Sequence, residues 1–173
     1  QSAVLLHPLP AQARLARNES AVADYAEVYG AKGAEGLPPL RVWLDPEENR
    51  GEPLYWLSRG FHRYEAADEA GLKKLPCEVF HGTRLDALKD ALGDNADHGV
   101  RRTDDDMRKA VAMCLLHPEL KELTAEEIAK LCNVSRQLVG KVRKLVTKDL
   151  LQRAGDMFPS MHQADAAVSL LRY

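Results

Sequence analysis

The sequence contains no apolar run approaching the roughly 20 residues that cross a bilayer as a helix, so a membrane-spanning protein is not expected. The early apolar stretch Ala3-Val4-Leu5-Leu6 stops at Pro8 and lacks a basic flank, so it does not read as a signal peptide. Cysteine is scarce: Cys77, Cys114 and Cys132 stand far apart, with no C-x-x-C. An odd, sparse count argues against a disulfide framework or a zinc site and fits a reducing cytoplasm. Neither sign of charge dominates, since 24 basic minus 26 acidic residues leave a net of −2. A uniformly basic nucleic-acid coat protein is excluded, but a local basic patch is not. Internal repeats and low-complexity segments are absent from the sequence as well.

What is present suits a folded chain. The 173 residues are 45% hydrophobic, enough to bury a core in one ordinary domain or two small ones. Val4-Leu5-Leu6 reads as a short strand, and 20–29 as a helix with Ser20 as cap and Val22, Tyr25, Ala26 and Tyr29 at helical spacing. Gly30, Gly33, Gly36 and Pro38-Pro39 then break the chain. Positions 40–44 alternate like a strand, 45–53 read as a turn, and 54–57 as the returning strand. A helix over 64–70 ends at Gly71, a strand covers 75–80, and a helix covers 84–92. The pattern is α+β with a small sheet. Beyond about residue 103 only helices are predicted, over 104–116, 124–131 and 135–147. The expected division is therefore 1–103, 104–153 and a helical tail at 154–173. In that tail Ala166, Ala167, Leu170 and Leu171 offer a modest homodimer contact.

The second half carries a helix-turn-helix pattern. Thr124 caps a helix with Glu127 three residues on, as in a capping box. Ala129 is small where two helices must approach. Asn133 falls where the turn needs a left-handed backbone, and Ser135 caps the next helix. Val134, Val139 and Val142 face Ile128 and Leu131. Between positions 121 and 153 eight basic and four acidic residues give +4, which leaves −2 − 4 = −6 for the rest. That asymmetry suits a DNA-binding module on an acidic body. Ser135, Arg136 and Gln137 sit where a recognition helix meets base edges. Lys141, Arg143, Lys144 and Lys148 are placed for phosphates. The same pattern also describes a structural helical hairpin with a solvated basic face.

Between a strand and a helix stands Ser58-Arg59-Gly60-Phe61-His62-Arg63. Backbone N–H groups and the positive helix end converge there, Gly60 permits close approach of an anion, and Arg63, Arg59 and His62 supply donors. A phosphate site follows, or else a turn histidine satisfied locally. The run from Tyr55 through Gly60-Phe61-His62-Arg63, Ala66-Ala67, Ala70-Gly71-Leu72 and Pro76-Cys77-Glu78-Val79 resembles the ParB N-terminal domain superfamily. The likeness extends through Gly93-Asp94-Asn95-Ala96-Asp97-His98-Gly99-Val100-Arg101-Arg102-Thr103, a form similar to ParB-like proteins of phages and mobile elements. It covers about residues 20–147.

The resemblance implies a mixed sheet of the ParB/sulfiredoxin type and a nucleoside triphosphate, CTP or ATP, bound with Mg²⁺. Arg59, Gly60, His62 and Arg63 would cradle phosphates, and Asp94 and Asn95 would hold the metal. Arg101 or Arg102 would reach the triphosphate from the opposite side, and Asn95 and His98 would also touch the nucleotide. Phe61 stands where sulfiredoxins carry their catalytic cysteine, so that chemistry is excluded. With little chain after the helix pair, a simple regulator on double-stranded DNA is expected over a full partition clamp. An enzyme on the same fold, a nuclease, NTPase or small-molecule kinase, is the alternative. Cys114 and Cys132, on apolar helix faces, read as small buried hydrophobes. Asp104-Asp105-Asp106 reads as a helix start stabilised by the dipole.

Overall fold

Four strands make one sheet in the order β1-β3-β2-β4, with two parallel edges around a central antiparallel pair. In chain order the elements are β1 (Leu6–Pro8), α1 (Glu19–Lys32), β2 (Leu40–Asp45), β3 (Leu54–Arg59), α2 (Phe61–Glu69), β4 (Cys77–His81), α3 (Arg84–Leu92), α4 (Asp104–Leu116), α5 (Ala125–Cys132) and α6 (Arg136–Leu145). The computed structural model describes residues 6–8, 18–46, 54–94 and 101–146. They fall into two units, one up to Ala91 and one from Leu92. The tail over 154–173 and its dimer contact lie outside the described residues. None of the described helices is long and apolar enough to cross a membrane.

Period-two alternation gives the sheet two unlike faces. Leu40, Val42 and Leu57 point to one side and form a core with Val22 and Tyr29 of α1, Ala66 and Ala67 of α2, and Leu75 and Cys77. Trp56 points to the other side and packs on Ala87 and Ala91 of α3, with Trp43 and Phe61 at the margin. Small alanines let each helix approach the sheet closely. The resulting unit is α+β, as the sequence pattern predicts, with helices on both faces of a mixed sheet. The first strand lies at Leu6–Pro8, slightly beyond its expected place, and pairs in parallel with β3. It is an edge strand, where a proline does least harm to the hydrogen-bond ladder.

Local signals fix the ends of the helices. Asn18 caps α1 by accepting from the Ala21 N–H at 3.0 Å. The end of α2 closes with Gly71 at φ 71°, with Gly71 N–H bonded to Asp68 O and Leu72 N–H to Ala67 O, the double bond of a Schellman motif.

In the second unit α4, α5 and α6 pack on one another, and Ala110, Val111, Cys114, Leu120, Ile128, Cys132, Val139 and Val142 are buried. Thr103 and Asp106 form a capping box at the start of α4, as do Thr124 and Glu127 at α5. The acidic run 104–106 thus stands in a first helical turn. Asp106 is buried as the reciprocal cap.

Candidate functional site

The strand-to-helix turn at Gly60 begins with a defect in the sheet. Between β2 and β3 the register runs Arg41↔Arg59 and then Val42↔Leu57, so Ser58 is the extra residue of a bulge. A bulge rotates the strand locally and re-aims the side chains that follow. Here the consecutive residues Ser58 and Arg59 both reach a single carboxylate, Asp90 of α3. The Ser58 hydroxyl donates to Oδ2 at 2.7 Å, and Arg59 donates from Nε and from a terminal nitrogen to Oδ1 at 3.0 and 2.7 Å. Arg41 adds a third donor at 3.3 Å and the Trp43 indole a fourth at 3.5 Å. Burial raises the Asp90 pKa. The hydrogen bonds from Arg59 and Ser58 and the charges of Arg59 and Arg41 outweigh that effect and hold it below the ordinary aspartate value.

Gly60 follows at φ 95° and ψ 29°, a left-handed conformation that favours glycine. It stands at the N-cap of α2 and gives the helix no side-chain cap. A Cβ there would come within 2.7 Å of the Leu40 side chain and 3.0 Å of the Arg63 guanidinium. The residues that follow turn back on the protein. Arg63 donates to the carbonyls of Pro38 and Pro39. His62 is buried, and its Nε2 accepts the Asn18 N–H at 3.2 Å, which ties the start of α2 to the start of α1. An accepting Nε2 carries no proton, so any charge-assisted role for this imidazole requires that bond to break. Arg59, Gly60, His62 and Arg63 are therefore brought together at one turn, with the Arg59, His62 and Arg63 side chains hydrogen-bonded within the protein.

The other sequence-expected residues belong to the second unit. Arg102 donates from one terminal nitrogen to the carbonyls of Leu92 and Cys132, at 3.1 and 2.9 Å. Arg101 is exposed and Asp94 half-buried. Asn95 and His98 lie outside the described residues.

Asn133 adopts φ 51° and ψ 54°, the one non-glycine with positive φ among the described residues. Its N–H bonds to Lys130 O and the Val134 N–H to Ala129 O, so α5 ends in the same motif as α2. Ser135 then caps α6 by accepting from Leu138 N–H at 3.2 Å. Val139 and Val142 are buried, while Arg136, Gln137, Lys141, Arg143 and Lys144 are exposed. Arg143 also reaches back to the Leu123 carbonyl at 3.0 Å. The exposed face of α6 is thus basic, with Arg136 and Gln137 at its first turn.

Three groupings were not foreseen from sequence. Asp90, the hub of the Gly60 turn, gave no local signal beyond lying next to Ala91 on the face of α3 that meets the sheet. Asp45 is buried at the end of β2, and its Oδ2 accepts from the Trp56 indole at 3.3 Å and from the Arg84 N–H at 3.0 Å. Cys114 and Cys132 are fully buried and meet with sulfurs 3.4 Å apart. The hydrogen bond to Cys132, together with burial, pushes the Cys114 thiol up. That same bond, aided by the nearby Arg102 charge and opposed by burial, draws Cys132 down.

No family model and no curated protein matches the chain. Among solved structures it is similar to the C-terminally truncated chromosome-partitioning protein ParB from Caulobacter crescentus complexed to the centromeric parS site. The identity is 24%, over 94% of this chain and 80% of that one, with a TM-score of 0.53. A structure of the truncated Caulobacter crescentus ParB complexed with CTP-gamma-S gives 24% identity over 98% of this chain and 91% of that chain, with a TM-score of 0.46. The likeness is one of fold: this chain has a ParB-like α+β fold.

Proposed function

We propose that this is a ParB-like DNA-binding protein whose N-terminal unit binds a nucleoside triphosphate. The observation that carries the DNA reading is α6. The left-handed Asn133 and the Ser135 cap present this helix with its valines buried and its basic face outward. In this reading Arg136 and Gln137 meet base edges, and Lys141, Lys144 and Arg143 meet phosphates. Ser135 acts as the cap that orients them. The ParB structure of like fold is itself complexed to a DNA site, which agrees with this reading.

The nucleotide reading is supported by the turn at Gly60. A first turn of α2 without a side-chain cap, a glycine that leaves no room for a Cβ, and Arg63 beside it match what a phosphate needs. Arg63 would exchange its proline carbonyls for phosphate oxygens, while Arg59, oriented by Asp90, would contribute charge from β3. Asp94 and Asn95 would hold Mg²⁺. The nucleotide is CTP or ATP. The setting is a cytoplasmic regulator of transcription or plasmid partition of the phage type.

Two measurements test this reading. Fluorescence anisotropy on duplex DNA over a salt series should give a steep negative slope of log affinity against log salt. Calorimetry with the four ribonucleoside triphosphates and Mg²⁺ should give heat with at least one of them. A flat salt series overturns the DNA reading, and no heat at millimolar nucleotide overturns the pocket.

A further inference from the structure

The thiols of Cys114 and Cys132 are 18 positions apart in sequence and 3.4 Å apart in space, one in α4 and the other the last residue of α5. Both are free and fully buried. From this geometry we infer that the pair is an oxidation-sensitive staple between α4 and α5, closed by a two-electron oxidant of the peroxide class. The inference stands apart from the DNA and nucleotide readings.

The chemistry balances with that oxidant. The Cys132 sulfur, on losing its proton, attacks one peroxide oxygen. The O–O bond breaks, one water leaves, and Cys132 becomes a sulfenic acid. The Cys114 sulfur then loses its proton and attacks the Cys132 sulfur. The S–O bond breaks and a second water leaves. Two thiols have lost two electrons and two protons, and the peroxide has become two waters. The roles follow from the surroundings: Arg102, bonded to the Cys132 carbonyl, favours the thiolate on Cys132.

Closing the bond brings the sulfurs from 3.4 Å to about 2.05 Å. Any backbone shift this requires at the end of α5 is passed to Asn133 and Ser135, which follow directly. Because both sulfurs are buried, the oxidant reaches them through local opening, and conversion takes minutes to hours.

The test uses the full chain treated with hydrogen peroxide, then quenched with a thiol-alkylating reagent and mapped by peptide mass. The expected product is lighter by two hydrogen atoms, with Cys114 and Cys132 in one linked peptide and Cys77 alkylated. Its thermal midpoint should lie above that of the reduced protein and return on treatment with a dithiol. Cys114→Ala and Cys132→Ala should each abolish the linked peptide; if one of them fails to fold, the other serves. The inference is overturned if both thiols remain alkylatable after prolonged peroxide in mildly destabilising urea. It is equally overturned if Cys132 gains oxygens without a link, or if the linked protein melts below the reduced one.

Discussion

The guanidinium of Arg63 lies 3.0 Å from where a Cβ on Gly60 would stand, and the Leu40 side chain lies nearer still, at 2.7 Å. The turn therefore rejects a side chain on two grounds, contact and a left-handed φ. Gly60→Ala is expected to destabilise the protein by about 1–3 kcal/mol, measured by urea unfolding. Arg63→Ala should weaken nucleotide binding roughly ten- to a hundredfold, about 1.5–3 kcal/mol, by calorimetry. It should also lower stability slightly, since the Pro38 and Pro39 carbonyls lose their donor. Unchanged nucleotide affinity in a folded Arg63→Ala protein would remove Arg63 from the pocket.

Asp90 makes the N-terminal unit acid-sensitive. Its pKa is depressed in the folded state, because the donors from Arg59, Ser58 and Arg41 outweigh burial. A depressed carboxylate stabilises fully above its unfolded value, about 3.9, and that contribution is lost as pH falls through the lower folded value. Asp90→Asn is expected to cost about 1–3 kcal/mol at neutral pH and to flatten the acid limb of the stability curve. Urea midpoints measured from pH 7 down to pH 2 check both. An acid limb as steep as the wild type's would assign the sensitivity to other carboxylates.

The bend between α5 and α6 depends on one left-handed residue. Asn133→Gly should leave stability nearly unchanged. Asn133→Val should cost about 1–2 kcal/mol, because a β-branched side chain is strained at φ 51°. Guanidinium unfolding of the two variants gives the comparison. Equal midpoints would show that the turn relaxes elsewhere.

On α6 the two ends of the exposed face should behave differently toward DNA. Arg136→Ala is expected to relax sequence preference, by about 1–3 kcal/mol for a lost bidentate base contact. Lys144→Ala should weaken binding to all duplexes alike and make the salt slope shallower by about one. Tight binding unaffected by either change would take this helix out of the interface.

The elements with strong local chemistry were readable from sequence alone. The capping box of Thr124 and Glu127, the left-handed Asn133, the Ser135 cap and the buried valines of α6 all depend on neighbours within four residues. The Gly60 turn was readable for the same reason. What escaped depends on contacts between distant segments. Asp90 meets Ser58 and Arg59 from more than 30 positions away, and it can do so because a bulge, which no local pattern announces, turns both toward it. His62 stands at the turn, and the bond its Nε2 accepts from Asn18, 44 positions earlier, has no local signal. Cys114 and Cys132 were correctly placed in apolar faces, but their meeting depends on how α4 crosses α5.

The sheet order also bears on how the chain reaches its fold. Only β2 and β3 pair with a near neighbour in sequence. Both edges, β1 on β3 and β4 on β2, are parallel and wait on long excursions of chain. Loop-closure entropy makes such pairings late. The central hairpin is thus the natural nucleus, and substitutions at Val42 or Leu57 should slow folding, while those at Leu40 or Cys77, which join β4 to β2, should mainly speed unfolding. The Gly60 turn sits at the end of that hairpin. Its strand half is then assembled early, while Asp90, which fixes Arg59 in place, arrives only when α3 docks.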